Sequence, residues 1–197
     1  MNIATVPGFR HFRTWHCVTG SMRHIYAWAG REISEELLLG LGEGVGFAYF
    51  RFKGQAPFLG GRAQPKPSLE ALSGGRTGVK IERKTSSSDA AAERSLLAEL
   101  EAGRPTMLQV DMGFLPYFNF GGKEYHFGGH VIVACGRDSS KGDYLIADRD
   151  GVVIIPSAMA CEAIAEAEAM SGTESDMRKA IGAGMDPLQA YLKHGKF

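Results

Sequence analysis

The apolar positions of this chain change period along its length, and those changes divide it into elements. After Cys17, Met22, Ile25, Tyr26, Trp28 and Ala29 recur at helical spacing until Gly30. This predicts a helix over residues 18–30 with Cys17 at or near its first turn. Ser34 can cap a second short helix over 35–40, whose acidic start, Glu35-Glu36, suits the helix dipole. Glycines at 40, 42, 44 and 46 then lead into an aromatic run over 47–52 that reads as a strand. Residues 57–67, with Gly60-Gly61 and flanking prolines, read as irregular loop. Residues 68–72 read as a short helix and 79–84 as an edge-like strand.

The second half has clearer punctuation. Ser88 or Asp89 caps a helix that runs to Ala102 and closes with Gly103 and Pro105. Residues 106–110 read as a buried strand. Residues 130–135 and 144–147 are two strands joined by the turn-rich segment 136–143, which is a hairpin signal. Residues 152–155 form a further strand and 157–170 an alanine-rich helix, broken at Ser171-Gly172. Asp186-Pro187 opens a last short helix that Gly195 stops. No internal repeat is present. An early helix followed by a run of strands predicts an α+β domain rather than alternating βαβ units. The expected division is a catalytic domain over 1–170 and a helical extension over 171–197.

Composition narrows the partners. The chain has 197 residues, of which 44% are hydrophobic, enough for one sizeable core. Its 22 basic and 22 acidic residues give no net charge, so no nucleic-acid or acidic-membrane partner is expected. The longest apolar runs are strand-sized, too short to span a bilayer. Residues 1–7 lack the basic and apolar regions of a signal peptide. Three cysteines at these spacings suggest no disulfide framework, and a reducing cytoplasm is the expected compartment. No cofactor is expected.

The candidate chemistry rests on Cys17, His130 and Asp148. A thiol at a helix start gains from the dipole and the unsatisfied N–H groups, which lower its pKa and can hold an oxyanion. His130 lies ten residues before the centre of the hairpin turn near Ser140, and Asp148 eight after it. Residues nearly equidistant from a turn face each other or sit one diagonal apart. The carboxylate can then fix the imidazole tautomer and leave the other ring nitrogen for the thiol. The order thiol, imidazole, carboxylate resembles the papain-like arrangement.

Each residue also has an ordinary reading. Cysteine commonly fills core, a histidine at a strand start is often a hydrogen-bonded surface residue, and Asp148 could simply begin a turn. Cys135, in an apolar strand, and Cys161, in an alanine-rich helix, are explained by packing. The glycines of 40–46 follow no strand and precede no Lys-Ser/Thr, so they are a poor phosphate loop. His126 and His130 have a metal-like spacing of four, but Gly128-Gly129 breaks any helix between them. His16 is a possible base, although sequence neighbours of a nucleophile usually point elsewhere. The run Met112-Gly113-Phe114-Leu115-Pro116-Tyr117-Phe118 is a hydrophobic loop that could line an acyl pocket.

These motifs together resemble a known family. His16-Cys17-x-Thr19 through the glycines to Phe47-Ala48-Tyr49-Phe50 is similar to the N-terminal domain of the butirosin-biosynthesis protein H family. So are Gln109-Val110-Asp111-Met112-x-x-Leu115-Pro116-Tyr117, His126-Phe127-Gly128-Gly129-His130-Val131-Ile132-Val133 and Ala147-Asp148. The resemblance runs from about Cys17 to about Ala169. It implies a papain-like fold with Cys17 as nucleophile, His130 as base and Asp148 as orienter. It also implies acyl transfer from an acyl-carrier-protein thioester to a small-molecule amine, as for the family's namesake. A cysteine peptidase or amidase with the same triad, and a non-catalytic binding module on the same fold, are the alternatives.

Overall fold

In the computed structural model, the described residues are 3–51, 58–62, 66–118, 129–148 and 151–155, with 176, 179–186, 189, 190 and 193 beyond them. The architecture is α+β, an antiparallel sheet with helices on its faces. The elements are β1 (Ile3–Thr5), α1 (Cys17–Trp28), α2 (Glu35–Leu41), β2 (Val45–Phe50), β3 (Phe58–Arg62), α3 (Leu69–Arg76), α4 (Asp89–Glu101), β4 (Thr106–Val110), β5 (His130–Asp138), β6 (Tyr144–Asp148) and β7 (Gly151–Ile155). A single 3-10 turn, Met112–Phe114, follows β4.

β5 is the spine of the main sheet. β6 pairs along one edge, and β7 pairs with β6. The other edge is shared end to end, by β4 against residues 130–134 and by β1 against 136–138. Side chains alternate between two cores, as a sheet covered on both faces requires. Val133, Cys135, Leu145 and Ala147 pack with Ile25 of α1. Ile132, Ala134, Tyr144 and Ile146 pack with Leu96 of α4, Val110 and Leu115. Helix α1 buries Val18, Met22 and Tyr26, an i, i+4, i+8 stripe, against Leu38 of α2, Leu69 of α3 and Val131 of β5. Met22 at the middle of that stripe is 0% exposed.

Several expectations are corrected. Residues 58–62, read as loop, form β3, paired with β2 by Tyr49↔Leu59 and Ala48↔Gly60. A cross-strand ladder supplies the hydrogen bonds that the Gly60-Gly61 propensity does not. Residues 79–84, read as an edge strand, are not in a strand. The Val79 N–H instead bonds the Gly74 carbonyl at the end of α3. Helix α3 continues through Gly74-Gly75 to Arg76, because a Cβ at Gly74 would meet the Val79 carbonyl at 2.7 Å and glycine permits that approach. β1 was not anticipated. Three residues carry no period, and the strand forms because β5 offers an unpaired edge beyond β4. Gly136 makes room for it, since a Cβ there would sit 2.5 Å from the Ala4 carbonyl oxygen. The expected helix over 157–170 lies outside the described residues, and so does Cys161. No helix among the described residues is long and apolar enough to cross a membrane.

Candidate active site

Helix α1 starts at Cys17, and the chain is held there by several independent bonds. His16 is the N-cap, with its Nδ1 accepting from the Thr19 N–H at 3.3 Å. The same ring nitrogen lies 2.8 Å from Thr19 Oγ1. His16, considered above as a rival base, thus has its Nδ1 in the helix cap. The carboxylate of Glu35, at the start of α2, reaches back to this turn. It accepts from the Trp15 N–H at 3.0 Å, from the His16 N–H at 2.6 Å and from Thr19 Oγ1 at 3.3 Å. Glu35 is only 4% exposed. Gly20 completes the fit, because a Cβ there would run into the Thr14 side chain. These contacts orient the turn on which the thiol sits, and Cys17 itself is half-buried.

The hairpin supplies the other two groups. Val133↔Ala147 sets the register, and a bulge between Ala134 and Gly136 shifts the rest of the pairing by one. In that register His130 and Asp148 are diagonal neighbours on one face. His130 Nε2–H donates to Asp148 Oδ2 at 2.9 Å, both side chains being largely buried. The His130 pKa is pushed up to about 9: burial acts to lower it, and the hydrogen bonds and charges of Asp148 and Cys17 outweigh burial. The structure thus brings all three residues singled out from the sequence together.

Three further groups touch the cluster. Tyr117 O–H donates to Asp148 Oδ2 at 2.8 Å, and the Phe118 ring meets His130 edge-on at 5.5 Å. His11 Nε2–H donates to the Asp148 carbonyl at 2.7 Å. The sequence pattern placed Tyr117 in an apolar loop and did not mark its hydroxyl. The position of Tyr117 in the Leu115-Pro116-Tyr117 motif was the available signal. Glu35 was read only as a favourable first-turn charge, and nothing in the sequence distinguishes a buried clamp from a solvated helix start.

Cys135, the other described cysteine, is a poor nucleophile. Burial pushes its thiol up to about 11, and it lies in the sheet core, where its Sγ points to the Leu145 carbonyl at 3.5 Å. His126 lies outside the described residues.

Fold and site together define an α+β protein with a thiol, an imidazole and a carboxylate hydrogen-bonded at the end of an antiparallel hairpin. Residues 16–149 match the family described as butirosin biosynthesis protein H, N-terminal, and the chain belongs to that family. The matched segment contains Cys17, His130 and Asp148. No solved structure matches the chain.

Proposed function

We propose that this protein is a cysteine-dependent acyltransferase with a papain-like arrangement of Cys17, His130 and Asp148. In this reading the Cys17 thiolate attacks the carbonyl carbon of an acyl thioester presented by a carrier protein. The carbon–sulfur bond to the carrier breaks, and the His130 imidazolium protonates the departing thiolate. Neutral His130 then takes a proton from an incoming amine, whose nitrogen attacks the acyl-enzyme and expels the Cys17 thiolate. Asp148 holds the ring and stabilises its charged form. The observation that carries the reading is the pair of hydrogen bonds on His130, one to Asp148 and one to the Cys17 side chain at the start of α1. Family membership supports a role in biosynthesis. Thioester chemistry suits the nucleophile: exchange between two thiolates is near thermoneutral, and amide formation drives the second step.

The test is intact mass after incubation with acyl-carrier-protein and acyl-coenzyme thioesters. An acyl adduct is expected on the wild type and none on Cys17→Ala, and a small amine should discharge it. An adduct that water discharges as fast with the amine as without it would identify a hydrolase. Adduct formation on Cys17→Ala at the wild-type rate would sink the proposed site.

A further inference from the structure

Tyr117 has no role in the mechanism above, yet it touches the carboxylate at its most consequential atom. Its hydroxyl and His130 Nε2 reach the same oxygen, Asp148 Oδ2, at 2.8 and 2.9 Å. The loop that presents it is well anchored. Asp111 Oδ1 accepts from the Gly113 N–H at 2.7 Å, Leu115 is buried, and the Phe118 N–H returns to the Leu115 carbonyl at 3.1 Å. The next residue, Phe118, lies against the His130 ring. Two consecutive side chains of one loop therefore contact both members of the His130–Asp148 pair. The direction of the Tyr117 bond is fixed, because burial, the Asp148 charge and the hydrogen bond itself all hold the phenol well above its ordinary pKa. Tyr117 is the donor throughout the working pH range.

We infer that Tyr117 is a positioning residue of the His130–Asp148 pair, its hydroxyl sharing Oδ2 and so limiting how strongly the carboxylate stabilises the imidazolium. The inference rests on the acyltransferase reading. A carboxylate oxygen with two donors is a weaker acceptor for each than an oxygen with one. With the hydroxyl removed, His130 Nε2 receives the whole of that oxygen, and the ring gives up the proton on its other, Cys17-facing nitrogen less readily. Both steps that move this proton depend on its balance: protonation of the leaving thiolate needs a ready acid, and activation of the amine needs a ready base. Among the described residues, the ionisable groups shown against the His130–Asp148 pair are Cys17 from α1, Tyr117 from the loop after the 3-10 turn, and His11 from the segment before α1. Of these, Tyr117 alone can be altered by one hydroxyl without removing a charge.

The experiment is the pH dependence of Cys17 alkylation by iodoacetamide in wild type and Tyr117→Phe, with Cys17→Ala as blank and melting temperatures in parallel. A thiolate–imidazolium pair gives two apparent pKa values, and the upper one reports loss of the imidazolium proton. Tyr117→Phe should raise the upper value by roughly half to one unit and slow single-turnover acylation about three- to tenfold. A wholly structural tyrosine would lower the melting temperature and leave the profile where it was. Superimposed profiles, or a downward shift of the upper value, overturn the role of Tyr117 and leave the triad standing. A wild type that titrates as an ordinary thiol near 8.5 overturns the triad and this inference together.

Discussion

Two buried histidines in this molecule respond to burial in opposite ways. His24, on α1, is 1% exposed, and its pKa is lowered to about 4. Burial is the main cause, and the charges of His11 and Arg23 add to it. Its Nε2 lies 3.0 Å from the Phe12 N–H and 3.1 Å from the Phe12 carbonyl, and its Nδ1 has no partner among the described residues. His11, Phe9 and Phe12 ring it, His11 stacked at 5.2 Å. His130 is largely buried too, its side chain 12% exposed, but its pKa is pushed up to about 9 by Asp148 and Cys17. Desolvation has the same sign at both sites. The partner decides the outcome: backbone groups and flanking rings leave His24 neutral, and Asp148 with Cys17 makes His130 a cation. His11 joins the two regions, stacked on His24 and bonded to the Asp148 backbone.

The comparison breaks most sharply if Asp148 loses its charge. Asp148→Asn keeps the shape but removes the charge that separates His130 from His24. The His130 pKa should fall by more than one unit, because burial then meets less opposition. Single-turnover acylation should slow by about 10²–10⁴, with the serine-triad precedent as the upper end, since a thiol ionises nearer neutrality than a hydroxyl. Ring titration by NMR and acylation by mass spectrometry check the two parts. A His130 pKa that stays near 9 in Asp148→Asn would mean that Asp148 is not the partner that counts.

The pair at the hairpin was legible because register is arithmetic. Arg137↔Tyr144 puts the turn centre between 140 and 141, next to the Ser140 expected from turn residues alone. Two strands on either side of a known turn leave few ways to place His130 against Asp148. The start of α1 was legible for a similar local reason, the onset of an apolar stripe just after Cys17. What escaped was long-range. Glu35 bonds the backbone of residues 15 and 16, and neither the spacing nor the residue types announce it. Tyr117 is an aromatic residue in an aromatic run, and only the folded loop shows that its hydroxyl faces a carboxylate. β1 and β3 escaped because a partner strand, not a local pattern, stabilises them.

Glu35 extends the comparison to a third buried ionisable side chain, one whose partners are backbone amides and a hydroxyl. Glu35→Ala removes the acceptor of the Trp15 and His16 N–H groups, while the Thr19 hydroxyl keeps His16 Nδ1 at 2.8 Å. The expected cost is about 3 kcal/mol of stability. The turn before Cys17 should loosen as well, so acylation should slow even at temperatures where the variant is folded. Denaturant unfolding and single-turnover rates at low temperature separate the two effects. A variant with wild-type stability would show that the Glu35 contacts are replaced by water at no cost.

The smallest effect sharpens the comparison most directly, because the two histidines make opposite predictions for stability against pH. Both have an ordinary value of 6.5 in the unfolded chain. His24 in the folded protein takes a proton only near pH 4, so below 6.5 the unfolded chain binds more protons and stability falls as pH drops. His130 keeps its proton to about pH 9, so its contribution is whole below 6.5 and is lost as pH rises toward 9. By pH 5 the His24 term should cost about 2 kcal/mol, whereas the His130 loss toward pH 8 is offset by its partner thiol, a thiolate in the folded pair and still protonated in the unfolded chain. His24→Gln should flatten the acid limb, and His130→Gln should leave that limb as it is, relative to wild type in the same buffers. Melting temperatures across pH 5–8 read both. If His24→Gln leaves the acid limb as steep as before, His24 does not titrate as a buried neutral ring. The contrast between the two sites would then lie in their burial rather than in their partners.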